Sequence, residues 1–409
     1  MRLFIPERRR AKILGPLVKI ALCLAVVSMA PAQEPPVGAS PIDQERNARL
    51  LNGYDYSKYT VAITGYNGQD LQRVGFVDWQ HAVRTRVTAR GTYKAGMAQL
   101  PNGRLVLAAC RDNYEEDRAK RGFTIEVYES ADEGLTWTEI GESPLFGKEP
   151  SLTALPDGSL VLTGQDFGPG ATHDRIPISR SSDGGRTWQT IELMGPDYPR
   201  NVIVEPDGSL LFVRALEWNW EGEEGSHNLQ LCRSKDGGET WTCSEGQVDW
   251  DVAAFGEVSA IRLKDGRYMA ALRTIVPDAP ARDGHGFGVT VLTESTDGGK
   301  HWSKPGPITS TAEVHAYLTE LDDGRLMVTY STYHLPFGVF AMVSSDGGKT
   351  WSRDRPAQLA LSALNNVGWP VTLQLKDGSL LTAYALTAYL KQPPDRFVTE
   401  VVRWRWPAE

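Results

Sequence analysis

The octapeptide Ser234-Lys235-Asp236-Gly237-Gly238-Glu239-Thr240-Trp241 decides the fold, because its pattern Ser-x-Asp-x-Gly-x-x-Trp returns four more times. The other copies begin at Ser130, Ser181, Ser295 and Ser344 and end at Trp137, Trp188, Trp302 and Trp351, in steps of 51, 53, 61 and 49 residues. Each copy reads as a tight turn: the Asp gathers local backbone N–H groups, the Gly takes positive φ, and the Trp folds back over the hairpin. A calcium loop needs three oxygen ligands at alternate positions and a distal Glu, whereas each copy supplies one Asp. The boxes are therefore structural turns, no metal is expected in them, and five of the 12 Trp are committed as turn plugs.

A second repeat runs out of phase with the first. Asn102-Gly103, Asp157-Gly158, Asp207-Gly208, Asp265-Gly266, Asp323-Gly324 and Asp377-Gly378 each stand between two apolar-alternating stretches, 55, 50, 58, 58 and 54 residues apart. Asn-Gly and Asp-Gly between alternating segments signal β-hairpins, and the spacing leaves room for four strands per unit, roughly the period of a propeller blade. The pattern predicts an all-β, six-bladed β-propeller with five Asp-box turns. If each box joins a blade's third and fourth strands, a chain ending on the third strand of blade six, Phe397 to Trp406, lacks the sixth box. Its fourth strand then comes from the N-terminal side, Val61 to Tyr66 or Arg84 to Ala89, closing the ring and hiding its edges.

The first 32 residues differ in kind. Arg8, Arg9, Arg10 and Lys12 precede an apolar run from Ile20 to Ala30 that ends in Ala30-Pro31-Ala32, the pattern of a secretory signal peptide. The run is too short to span a bilayer. Residues 33–55, rich in Pro, read as a linker or arm, and 56–409 as the propeller. Six Lys/Arg and one Glu leave with the signal, so 37 basic face 50 acidic side chains, a net charge of −13. Such a chain suits neither phosphate backbones nor anionic lipid, so nucleic acid and membrane insertion are set aside as partners. The protein is expected in a secreted or periplasmic location. Of its four Cys, Cys23 lies in the signal, and no Cys-x-x-Cys pair suggests zinc. Cys232 and Cys243 flank the third box as cross-strand neighbours, either bonded in an oxidising compartment or left as buried thiols, with Cys110 over.

Innermost strands begin about eight residues before each Asx-Gly turn, and their first residues line the mouth of the ring. Counting back eight gives Lys94, Glu149, Pro199 (beside Arg200), Glu257, His315 and Trp369. The second strands return to the same end near Arg111-Asp112, Gln165-Asp166, Arg214, Arg273, Tyr330 and Tyr384. Arginines around Glu, His and Tyr suit an anionic sugar, because guanidinium forks bind carboxylates; the bland reading is structural ion pairing with the abundant acids. No cofactor is implied.

Boxes on a six-unit pattern resemble the sialidase (neuraminidase) superfamily of Asp-box, or BNR repeat, propellers. That family, as the resemblance implies, holds a substrate carboxylate with three Arg and uses a Tyr nucleophile assisted by a Glu, with an Asp as acid/base. Gly256-Glu257-Val258-Ser259, then Asp265-Gly266, then Leu272-Arg273 looks like the stretch carrying the family's Glu and one Arg. Asp112, or nearby Asp117, matches the acid/base more loosely, beside Arg111. The chain departs from the pattern at two places. Tyr93-Lys94-Ala95-Gly96 stands where the family has Arg-Ile-Pro, and Gly368-Trp369-Pro370 stands where it has the Tyr. Trp cannot be a nucleophile, so Tyr317, Tyr330 or Tyr333 takes over, or a carboxylate pair such as Glu149 and Glu257 performs acid/base cleavage, with His315 a further acid/base. Lys94, Arg111, Arg200, Arg214, Arg273, Tyr330 and Trp369 are the expected substrate-binding residues. The expectation is an exo-glycosidase hydrolysing a terminal acidic sugar, sialic acid or related. The alternatives are a hydrolase or lyase of uronic-acid glycosides, or a non-catalytic carbohydrate-binding propeller whose Trp369, Trp218 and Trp220 offer stacking faces.

Overall fold

The computed structural model describes residues 62–63, 83–88, 91–113, 122–166, 175–194, 198–215, 228–248, 254–275, 288–333, 337–361, 368–387 and 397–406. The expected signal peptide and linker, and Asp117, Trp218 and Trp220, lie outside these residues. Everything described is strand, turn or irregular backbone, without helix.

The six Asx-Gly turns are one structure repeated. In each, the Gly takes a positive φ, between 78° and 93°, and its N–H donates to the carbonyl three residues earlier, as Gly103 does to Leu100 and Gly378 to Leu375. The Asx side chain accepts the N–H two residues on, as Asn102 does from Arg104 and Asp377 from Ser379. The five boxes repeat as faithfully. The Ser130 hydroxyl accepts the Gly134 N–H at 2.9 Å, Asp132 accepts both the N–H and hydroxyl of Thr136, and the Trp137 indole N–H donates to the Gly134 carbonyl at 3.1 Å. These hydrogen bonds hold the Asp183 carboxyl down at about 2, Thr187 contributing most. The Asp side chains are thus spent on the turn itself.

Strands follow one another in six successive groups. Unit one comprises Thr92–Gln99, Leu105–Asn113, Gly122–Ser130 and the first half of Thr138–Ala154. That long strand pairs at its start with Gly122–Ser130 and at its end with Leu160–Asp166, so it leaves unit one as the outer strand and enters unit two as the inner one. Unit two continues with Arg175–Ser181 and Gln189–Met194; unit three is Ile203–Val204, Leu210–Ala215, Asn228–Ser234 and Thr242–Val248. Unit four is Ala254–Arg262, Tyr268–Ile275 and Gly288–Ser295, with only Gly306–Pro307 as its outer strand, while its box Trp302 pairs in parallel with Val248 of unit three. Unit five is Glu313–Glu320, Leu326–Thr332, Gly338–Ser344 and Ala357–Leu361, and unit six is Gly368–Gln374, Leu380–Thr387 and Phe397–Trp404. Of the two N-terminal segments, Val83–Arg86 pairs antiparallel with Phe397–Trp404, whereas Ala62–Ile63 pairs with Ala357–Gln358 outside unit five.

The core lies between units rather than within them, because both faces of each sheet are apolar. Leu155, Val161, Ile178, Val202, Leu210 and Phe212 join units two and three, and Met269, Ala271, Leu318, Val328 and Phe340 join four and five. The last unit packs on the first through Ala95, Met97, Leu107, Val371, Leu381 and Val401. A fully buried side chain of this kind stabilises by about 1.5–3 kcal/mol. Arg84 on the N-terminal strand is buried between units five and six, its guanidinium donating to the Tyr384 hydroxyl and the Leu359 carbonyl. Cys232 and Cys243 form a disulfide across the third box hairpin, and Cys110 is a buried free thiol.

Candidate active site

Five of the six positions found by counting back eight residues share a rare backbone state. Lys94, Glu149, Glu257, His315 and Trp369 have φ of 53°, 55°, 64°, 58° and 50°. Each sits where the pairing between a unit's first and second strands slips, at Tyr93/Ala95, Lys148/Ser151, Phe255/Ser259, Val314/Tyr317 and Gly368/Val371. A left-handed non-glycine residue costs about 1–3 kcal/mol and persists where function re-aims a side chain. In unit three the equivalent residue is Pro199, whose ring forbids positive φ. There the bulge is replaced by a lone bridge from Pro199 to Val258, with the Arg200 N–H donating to the Val258 carbonyl at 2.9 Å.

The re-aimed side chains meet. Glu257 is 4% exposed, and its Oε1 lies 3.4 Å from Arg273 Nη1 and 3.4 Å from His315 Nε2. Arg273 Nη1 is also 3.4 Å from His315 Nε2. A protonated Nε2 donates to Glu257, and a bare Nε2 accepts from Arg273, so the imidazole keeps a partner through a proton transfer. Glu257 Oε2 is buried without a hydrogen-bond partner. The imidazole is stacked on the Trp369 ring, centroids 4.9 Å apart at 23°, and meets the Tyr333 ring edge-on at 5.4 Å. Ser331 ties this arrangement together: its hydroxyl lies 3.4 Å from His315 Nδ1 and accepts the Trp369 N–H at 3.1 Å. Gly368 makes that approach possible, because a Cβ there would fall 1.7 Å from the Ser331 hydroxyl.

Unit one also meets the Trp369 ring. Lys94 forms an ion pair with Glu149, and its ammonium lies 4.7 Å from the Trp369 ring centroid. Burial pushes Lys94 down to about 7, while the Glu257 carboxylate pulls it up and Lys148 lowers it further. Burial pushes the neighbouring Cys110 thiol up to about 12, with Lys94, Lys148 and Asp112 all within electrostatic range. Arg200 is 8% exposed; its Nη2 donates to the Pro370 carbonyl at 2.9 Å, and Tyr317 and Glu257 bear on its charge. Burial raises Tyr317 to about 12, against a lowering by Arg200, and also raises Tyr333. Lys94, Arg200 and Arg273 are thus gathered with the acids Glu149, Glu257 and Asp112.

Three expected site residues stay within their own packing. Arg111 pairs with Glu126, which also accepts the Tyr128 hydroxyl at 2.6 Å; Arg214 donates to the Gln230 amide oxygen at 2.8 Å. Tyr330 stacks on Phe340 in the core between units four and five. The reason is the two-residue period of a strand. Second-strand residues eight past the Asx, namely Cys110, Gln165, Ala215, Arg273, Ser331 and Ala385, share one strand face, on which Ala215, Arg273 and Ser331 meet the following unit. Arg111, Arg214 and Tyr330 stand nine, seven and seven past it, and their strand faces point the other way. Asp112 and Tyr333, ten past it, return to the Arg273 face. Asp112 is buried and, like Lys94, within electrostatic range of Cys110, and Tyr333 is the phenol beside His315, within electrostatic range of Arg273 and Glu257. Ser331 lies outside the set expected from the sequence, and Tyr333 enters it only as one of three substitute nucleophiles. A strict count of eight and ten would have found both. Trp369, only 7% exposed and covered by His315 and Lys94, is no free stacking platform.

The model of the BNR repeat-like domain family matches residues 75–244 and 198–398. The chain belongs to this family, within the sialidase superfamily. A family relative, a sialidase of Bacteroides fragilis strain YCH46, is 25% identical over 246 residues, 51% of this chain and 42% of that protein. The match therefore spans less than half the length of that curated relative. Among solved structures, a Dyadobacter fermentans protein of unknown function aligns with a TM-score of 0.59 at 21% identity, over 77% of this chain and 95% of that one. An α-L-arabinofuranosidase of Fusarium graminearum gives 0.57 at 15%, over 76% and 92%. The NanB sialidase of Streptococcus pneumoniae gives 0.53 at 13%, over 77% and 68%. These likenesses are of fold.

Proposed function

We propose that this chain is a sialidase-like exo-glycosidase that hydrolyses the bond to a terminal acidic sugar. One observation carries the reading: a buried Glu257, shared by Arg273 and His315 and with one oxygen unpartnered, within electrostatic range of Lys94 and Arg200. A buried polar atom without a partner is costly unless a ligand or reaction uses it. In this reading Glu257 takes a proton from the Tyr333 phenol, which lies within its electrostatic range, or from water. Burial holds that phenol protonated, so attack by it needs such a base. The scaffold reading is a six-bladed ring completed by Val83–Arg86, supported by the packing of unit six on unit one. Export is supported by the Cys232–Cys243 bond, since disulfides persist in oxidising compartments.

A second reading is favoured by Lys94 and Trp369 standing where sialidases resembling this chain have Arg and Tyr: hydrolysis or elimination at a uronic-acid glycoside by His315, Tyr333 and Glu257. Fluorogenic sialosides, uronides and α-L-arabinofuranosides, offered to the mature protein and to Glu257→Gln, separate these cases. Release from a sialoside, reduced about 10²–10⁴-fold in kcat by the substitution, is the expected result. Release from the uronide favours the second reading; release from the arabinoside alone, or full activity of Glu257→Gln, defeats both.

A further inference from the structure

Three arginines are buried among the described residues, and they are not equivalent. Arg84 is held by the Tyr384 hydroxyl and the Leu359 carbonyl, and Arg214 by the Gln230 side chain. Arg200 has the Pro370 carbonyl on Nη2, while its Nε and Nη1 are buried with no hydrogen-bond partner. No carboxylate stands within ion-pair distance of it among the described residues. Burial lowers its pKa, Glu257 being the first of the weaker influences that oppose this, so the fold bears an uncompensated guanidinium at a site that desolvates it. Its position is also unusual. Arg200 opens unit three and Pro370 lies in unit six, two units that share neither a sheet nor a core cluster, so the side chain reaches across the site. Arg273, by contrast, already engages Glu257 and His315.

We propose that Arg200, with the Tyr317 phenol beside it, is the anchor for the substrate's anionic group, and that Arg273 positions Glu257 and His315 instead. This rests on the glycosidase reading above and deepens it by naming the group that selects an acidic sugar. A carboxylate seated on Arg200 satisfies the orphaned donors and supplies the missing counter-charge. It leaves Glu257 Oε2 free for the reacting centre. The preference for an acidic over a neutral sugar then resides in one side chain of unit three, outside the segment that resembles the family's Glu and Arg.

The test compares wild type, Arg200→Met and Arg200→Lys on the acidic glycoside found by screening and on its neutral counterpart, in which hydroxymethyl replaces the carboxylate. Wild type is expected to prefer the acid. Arg200→Met should lose that preference by about 10–100-fold, the worth of a charged hydrogen bond, through KM on the acidic glycoside; Arg200→Lys should restore part of it. Calorimetry with the free sugar acid, which needs no turnover, should detect binding to wild type and Arg200→Lys and none to Arg200→Met. An undiminished preference, or undiminished sugar-acid binding, in folded Arg200→Met overturns the proposal. Wild type that turns over only neutral glycosides yet binds the acid through Arg200 defeats the acidic-substrate reading while leaving the anchor standing. If Arg200→Met does not fold, a wild-type preference for the acid retained in full by Arg200→Lys, with unchanged KM, overturns it.

Discussion

Replacing the Lys94–Glu149 pair by the uncharged Lys94→Met/Glu149→Gln pair should change how stability depends on pH. Burial strips the Lys94 ammonium of water and pushes it down to about 7 in the folded chain, against 10.5 for a free lysine. Between these values the unfolded chain holds a proton that the folded chain has released, so stability rises with pH; the penalty is fully present below pH 7 and gone above the unfolded value. The slope approaches about 1.4 kcal/mol per pH unit. From pH 7 to pH 9 wild type should therefore gain about 2 kcal/mol that the double variant does not. Urea unfolding of both proteins at pH 7, 8 and 9 measures this directly, since groups common to both cancel in the difference. Binding should move oppositely, KM for an anionic substrate rising in wild type as the ammonium deprotonates. Parallel stability curves across that range would refute the assignment of a buried, proton-releasing lysine to this site.

Other perturbations test the frame around the site. Ser130→Ala leaves the buried Gly134 N–H without its acceptor, and is expected to cost about 1–3 kcal/mol with kcat unchanged; a variant of normal melting temperature that has lost activity would contradict a purely structural box. Reduction, or Cys232→Ser/Cys243→Ser, opens a crosslink 11 residues apart in sequence and should destabilise by about 3 kcal/mol. Peptide mapping without reduction should join Cys232 to Cys243, and any bond from Cys110 would refute the pairing. Deleting residues 1–90 removes the Val83–Arg86 strand and the buried Arg84, leaving Phe397–Trp404 an open edge. The truncated protein should melt lower and aggregate, and an unchanged melting temperature would show that this strand is dispensable.

The amino-acid sequence by itself determined the strands, their turns and their order. Box and Asx-Gly turns are local: each is built from hydrogen bonds and φ values within about eight residues, so six copies of one signal predict six copies of one turn. Counting back eight from those turns also found Lys94, Glu149, Glu257, His315 and Trp369, because a fixed turn geometry fixes where the preceding strand begins. The count forward was looser, and a miss of one residue turned Arg111, Arg214 and Tyr330 to the wrong strand face while passing over Ser331. Only the tertiary structure decided which charges are partnered. Lys94 meets Glu149 and Trp369, and Arg200 meets Pro370, across separations of 55 to 275 residues that no local pattern encodes. Whether a guanidinium is satisfied or left orphaned depends on what distant strands bring to it, and that is the property that sets Arg200 apart from Arg273.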